Sequence, residues 1–109
     1  MNRGEIRWYT FRPPDKRRPV LILTRDSALD VLTGVIIAPI TSTIRNIPTE
    51  VVLRPSEDGV LTESAVNLDN LQTVPKQNLG GLITILSPDK MQAVEQAVCF
   101  ALGIDYLFS

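Results

Sequence analysis

Three short segments carry the residue types best suited to chemistry. They are Lys16-Arg17-Arg18 directly ahead of Pro19, the hydroxyl run Thr41-Ser42-Thr43, and the polar ladder Asn67, Asp69, Asn70 and Gln72. Proline fixes its own φ and biases Arg18 toward extended backbone. Val20 to Leu23 then reads as a strand buried on both faces. A packed strand holds the backbone of Arg18 while its guanidinium stays in solvent, which is how a scaffold presents charge to a ligand. That guanidinium can donate two bonds to phosphate oxygens, and the Thr41 hydroxyl can donate a third. The plain alternatives stand beside this chemistry. The basic triplet is then a solvated turn, Thr41 satisfies backbone groups, and Asp69 is a turn or ladder partner.

Composition narrows the classes. At 109 residues the chain is one domain, 1–109, with 44% hydrophobic and 21% charged residues as in a globular protein. No apolar run approaches a membrane span, and the N-terminus lacks a signal-peptide core, so the expected compartment is the cytoplasm, with no membrane partner. Zero histidines exclude histidine acid–base catalysis and histidine metal sites. The carboxylates show no metal-ligand spacing, so neither a metal nor a cofactor is expected. The single cysteine, Cys99, fits a reducing environment and a packing role. The net charge of −1 hides an asymmetry. Residues 1–25 hold seven basic against two acidic groups, and residues 26–109 hold four against ten. A segregated basic quarter suits a polyanion.

The positioning elements are mostly strands. Gly4–Phe11 reads as the first, with Ile6 and Trp8 on one face and Trp8 assigned to the core or a dimer interface rather than to base stacking. Arg12-Pro13-Pro14-Asp15 breaks it. After the strand beginning at Val20, Asp26 opens a loop with room for one helical turn through Leu29. Gly34–Ile40 is a buried strand that ends in the hydroxyl cluster, and Pro39 predicts an edge or the end of regular pairing there. Thr49–Arg54 is a strand, followed by a polar turn at Ser56-Glu57-Asp58-Gly59. Ser64–Val74 gives one or two short strands, and Leu82–Leu86 the last. Ser87-Pro88-Asp89 then starts a helix whose apolar face is Met91, Val94, Val98 and Leu102, with Gly103 as its stop. Short strands at close intervals plus one C-terminal helix predict a small antiparallel barrel.

In order and spacing, GEIRWY, RRPVLILT, APITSTIRNIPTEVVL and NLDNLQTVPK, with a helix ending at Leu102-Gly103, resemble the MazF/PemK (Kid) family of toxin endoribonucleases. The resemblance implies an SH3-like barrel, a homodimer, metal-independent cleavage of single-stranded RNA, and a cognate MazE-like antitoxin that blocks the RNA groove. It places the catalytic arginine at Arg18, the catalytic hydroxyl at Thr41 and a contributing aspartate at Asp69. Arg17, Arg25, Ser42, Thr43, Arg45, Asn67, Asn70 and Gln72 are the expected RNA contacts, with Arg25 and Arg45 solvent-exposed or phosphate-positioning. The chain departs from the Kid branch at Asn67, where that branch has an arginine, and in lacking its histidine. The connection after the first strand is also short, so the family's RNA preference does not transfer.

The implied chemistry suits these residues. RNA carries its own nucleophile, the 2′-hydroxyl, and the protein has to stabilise a dianionic phosphorane. Two alternatives are a gyrase poison of the same fold, as in the CcdB family, and an inactive RNA-binding module. The first is disfavoured because Leu102–Ser109 contains no tryptophan.

Overall fold

A computed structural model of the chain describes residues 1–13 and 16–104. Pro14, Asp15 and the 105–109 end, which entered the arguments on the first loop and the gyrase alternative, lie outside the described residues. Among the described residues, strands β1 (Glu5–Thr10), β2 (Arg17–Ile22), β3 (Gly34–Thr41), β4 (Glu50–Leu53), β5 (Ser64–Asn67), β6 (Gln72–Pro75) and β7 (Leu82–Ile85) pair antiparallel. Their order is β4-β5-β3-β2-β1-β7, with β6 added to the other half of β3. Helices α1 (Asp26–Leu29), α2 (Pro55–Asp58) and α3 (Pro88–Leu102) complete the fold. The expected small barrel is a curled half-barrel with the C-terminal helix packed against it.

β2 is apolar at successive positions because both of its faces are covered. Leu21 packs with Ile6, Leu53, Val66 and the α3 residues Met91 and Val94. Val20 and Ile22 face the other way, onto Val35, Ile37 and Val74. All three β2 side chains are fully buried, each worth about 1.5–3 kcal/mol of transfer free energy. The two clusters clamp the strand that carries Arg18.

Pro39 does not mark an edge. It is buried opposite Val20 in the middle of the sheet. On the other side of β3, β6 pairs with Gly34–Ile37 and β5 with Ile40–Thr41. The missing donor therefore falls in the gap where β3 changes partners. The polar turn at 56–59 is also tighter than expected: α2 is one helical turn, with Pro at its first position and Gly59 at its C-cap. This turn bridges the open seam between β4 and β7, where Thr84 Oγ1 donates to the Asp58 carbonyl at 3.0 Å. Gly59 has φ +74°, and a Cβ there would lie 2.6 Å from Thr84 Oγ1. Gly59→Ala should destabilise the protein by about 1–3 kcal/mol from backbone strain and crowding. A denaturant-melt difference below about 0.5 kcal/mol would contradict that account.

α3 begins as expected, with Ser87 Oγ accepting from the Lys90 amide at 3.1 Å. Its buried face is Met91, Val94, Ala97 and Cys99, and Val98 is partly buried. Leu102 is 58% exposed and lines a surface hollow with Leu23, Ile36 and Leu71 rather than the core. Cys99 is a buried free thiol, as its packing role requires.

Candidate functional site

A cleft of about 560 Å³ opens over the outer ends of β2 and β3. Both ends are delivered by register. β2 and β3 pair Val20 with Pro39 and Leu21 with Ala38, which leaves Arg18 and Thr41 just past the same end of the ladder. Both residues line the cleft. Ser42 and Thr43 add hydroxyls to the lining, Trp8, Leu61 and Ile83 add apolar surface, and Arg17 lies over the Trp8 ring. A smaller hollow of about 300 Å³ continues from the same arginine and threonine toward Arg45, Asn67 and Asn70.

Arg18 is held ready for an anion. Its guanidinium carbon lies 5.9 Å from the Phe11 ring centroid, and Phe11 is braced edge-on by Tyr9 at 4.8 Å. Among the described residues no carboxylate pairs with Arg17 or Arg18. Their charge is therefore available to a ligand. Thr41 Oγ1 accepts a hydrogen bond from the Thr43 amide at 3.1 Å. The turn-forming and catalytic assignments of Thr41 are thus compatible. The oxygen is fixed by the backbone, and the hydroxyl proton remains free to donate.

The other residues singled out in the sequence divide into two groups. Asn67 and Asn70 join the hollow, and Asn67 Oδ1 accepts from the Asp69 amide at 3.1 Å. Asp69 itself turns away: its carboxylate accepts from Thr49 Oγ1 at 2.6 Å, and it lines neither hollow. Its position braces the turn that presents the two asparagines. Arg45 reaches the hollow but is not a free cation. Its Nε and its backbone amide donate to the two oxygens of Glu50, each at 2.9 Å. The Glu50 side chain is completely buried, and a buried carboxylate requires such a partner. Arg25 is brought nowhere near the cleft. It lies beyond the opposite end of β2, at the N-cap position of α1, where its side chain makes no capping bond. Gln72 opens β6 opposite Ile37, away from the Thr41 end of β3.

Of the two places expected for Trp8, the core or a dimer interface, the structure excludes the core. Trp8 is half-buried at the rim, and the Arg17 guanidinium lies 4.2 Å from its ring centroid. Its register partner is Pro19, the residue after Arg18. Leu61 and Ile83 carried no signal in the sequence, since a loop and an edge strand bring them to the cleft. No metal-holding cluster of three or more Cys, Asp or Glu occurs among the described residues.

Fold and cleft together define a small curled-barrel protein with an arginine and a threonine lining one basic cleft. Residues 2–102 match the family described as the PemK-like, MazF-like toxin of type II toxin-antitoxin system. The chain belongs to this family. It is 41% identical over 93 residues to Endoribonuclease MazF3 of Mycobacterium tuberculosis, covering 85% of this chain and 89% of the relative. Among solved structures it is similar to the Mycobacterium tuberculosis toxin MazF-mt6, with 38% identity and a TM-score of 0.84 over 94% of this chain and 99% of the other. It also resembles an endoribonuclease in complex with its cognate antitoxin from mycobacterial species. There the identity is 28% and the TM-score 0.86, over 97% of this chain and 98% of that one.

Proposed function

We propose that this toxin is an endoribonuclease that cuts single-stranded RNA by attack of a 2′-hydroxyl on the adjacent phosphorus. The observation that carries the reading is that Arg18 and Thr41 line the same cleft together with Lys16 and Arg17. The 2′-oxygen forms a bond to phosphorus, the bond to the 5′-oxygen breaks, and a 2′,3′-cyclic phosphate and a 5′-hydroxyl result. Arg18 donates twice to the phosphoryl oxygens as negative charge builds, and Thr41 donates once. Donors aimed at developing charge are each worth about 2.7–4 kcal/mol. Ser42, Thr43, Asn67 and Asn70 are polar contacts for the neighbouring nucleotides, and Arg17 adds charge. Asp69 acts through the turn it braces.

The endoribonuclease names of the relatives favour this reading over a gyrase poison or an inactive RNA-binding module. The same relatives support a cognate antitoxin as partner, and Arg17 and Arg18, which pair with no carboxylate among the described residues, suit an acidic antitoxin segment. A second copy of the chain fits the apolar surface that Ile36 and Leu102 share with Leu23, Leu71 and Val98. No helix among the described residues is long and apolar enough to cross a membrane, and the cytoplasm, where messenger RNA is reached, is the proposed compartment.

Purified protein incubated with a long single-stranded RNA in excess chelator should cut it, leaving 5′-hydroxyl and cyclic-phosphate ends. Light scattering on the same preparation should give a dimer. Activity that disappears in chelator and returns with magnesium would overturn the metal-independent mechanism.

A further inference from the structure

We propose that Trp8 and Arg17 form a stacking shelf for one unpaired nucleobase, beside the phosphate held by Arg18. The proposal rests on the endoribonuclease reading above and adds the part of the nucleotide that reading leaves unplaced. Arg17 and Arg18 are consecutive strand residues, so their side chains leave opposite faces of β2. Arg18 goes toward Phe11 and Thr41, whereas Arg17 goes over the Trp8 ring at 4.2 Å. One face of the Arg17 guanidinium is therefore occupied by indole, and the residue as a whole is exposed. A guanidinium in that position can carry a base on its outer face, as arginine planes do in single-strand recognition.

The shelf is fixed from beneath. The Trp8 amide donates to the Gly81 carbonyl at 3.2 Å, and its carbonyl accepts from the Gly80 amide at 2.7 Å. A Cβ on Gly80 would come within 3.3 Å of that carbonyl oxygen and of the Trp8 Cβ, so the close approach needs glycine. The strand partner on the other side is the rigid Pro19. The cleft also carries both chemistries a nucleotide requires. Its lining holds the hydroxyls of Thr41, Ser42 and Thr43 for phosphate and ribose, and apolar surface from Trp8, Leu61 and Ile83 for the base. Stacking of this kind contributes affinity without selecting a particular base, because every base presents a π-face.

Trp8 is the one tryptophan of the chain, so its emission reports on the shelf without a mutation. The probes are a fully 2′-O-methylated single-stranded RNA, which lacks the nucleophile, and an abasic oligomer of the same length and charge. The base-bearing oligomer should quench Trp8 emission saturably, with the Kd found by anisotropy. The abasic one should bind more weakly and leave the emission unchanged. Arg17→Lys keeps the charge but loses the plane. It should weaken base-bearing RNA about five- to hundredfold and leave abasic affinity unchanged. Quenching by the abasic oligomer, or equal losses for both oligomers in Arg17→Lys, would show that Arg17 contacts phosphate alone and overturn the shelf. If RNA is bound and cut in chelator while Trp8 emission stays constant, the shelf falls and the nuclease reading stands. If neither oligomer binds and long RNA is not cut, both fall.

Discussion

Arg18→Lys lowers the single-turnover rate of RNA cleavage by about 10²–10³-fold while the protein stays folded. Lysine keeps the positive charge on the same strand, so long-range attraction of RNA is retained. It lacks the planar fork that donates two parallel bonds to a phosphoryl group. Those bonds strengthen as the phosphorane forms, so the loss falls on the rate at saturating protein rather than on affinity. Folding is insulated from the change because the Arg18 head group lies in the cleft, while Val20, Leu21 and Ile22 hold the strand. Rates measured at saturating protein, together with a thermal melt, check both halves. Equal rates for the variant and the wild type would place the phosphate elsewhere.

Thr41→Val is expected to lower the same rate by about a hundredfold, and Thr41→Ser to stay within tenfold of wild type. Valine preserves volume and β-propensity on β3, so packing is nearly unchanged. It removes the donor to the phosphoryl oxygen and the acceptor that holds the Thr43 amide at 3.1 Å. Serine keeps both functions. Because Thr43 is exposed, its freed amide turns to water at small cost. RNA affinity of the valine variant should therefore remain within a few-fold of wild type. A valine variant that cuts as fast as the serine variant would reduce Thr41 to a turn former.

Arg18 and Thr41 were legible in the chain because both are set by local rules. A proline and an apolar run fix the strand at 19–22, and a second apolar run ends at the hydroxyls. Arg25 and Gln72 were misplaced because membership of the cleft depends on which strand ends meet. That is decided by the β2–β3 and β3–β6 registers, which composition does not encode. Trp8 shares strand alternation with the buried Ile6, which pointed inward, but the β2–β3 ladder ends at Val20 and Pro39 and the indole is left half-buried at the rim of the cleft. Pro39 left an edge and an end of regular pairing open, and the second holds, because β6 pairs only as far as Ile37 and β5 begins at Ile40. The rule that bars proline from central strands assumes one partner along each side, and β3 has two in succession on one of them. Asp69 lies in the polar ladder, and only the packing of β4 against β5 shows that Thr49 claims its carboxylate.

The partner exchange along β3 also sets a hierarchy of opening. β3 is paired with β2 on one side and with β6 and then β5 on the other, whereas β4 and β7 are edge strands closed by one short helical turn. Amides in such a central strand exchange with solvent last, and those along the seam first. Thr41 thus hangs from the slowest-opening element of the protein, while Leu61 and Ile83 belong to the fast-opening seam. Breathing of that seam can widen the apolar side of the cleft without moving the hydroxyl or the guanidinium. Admission of a polymer with no free end nearby then costs a local opening, and the donors it meets are already in place.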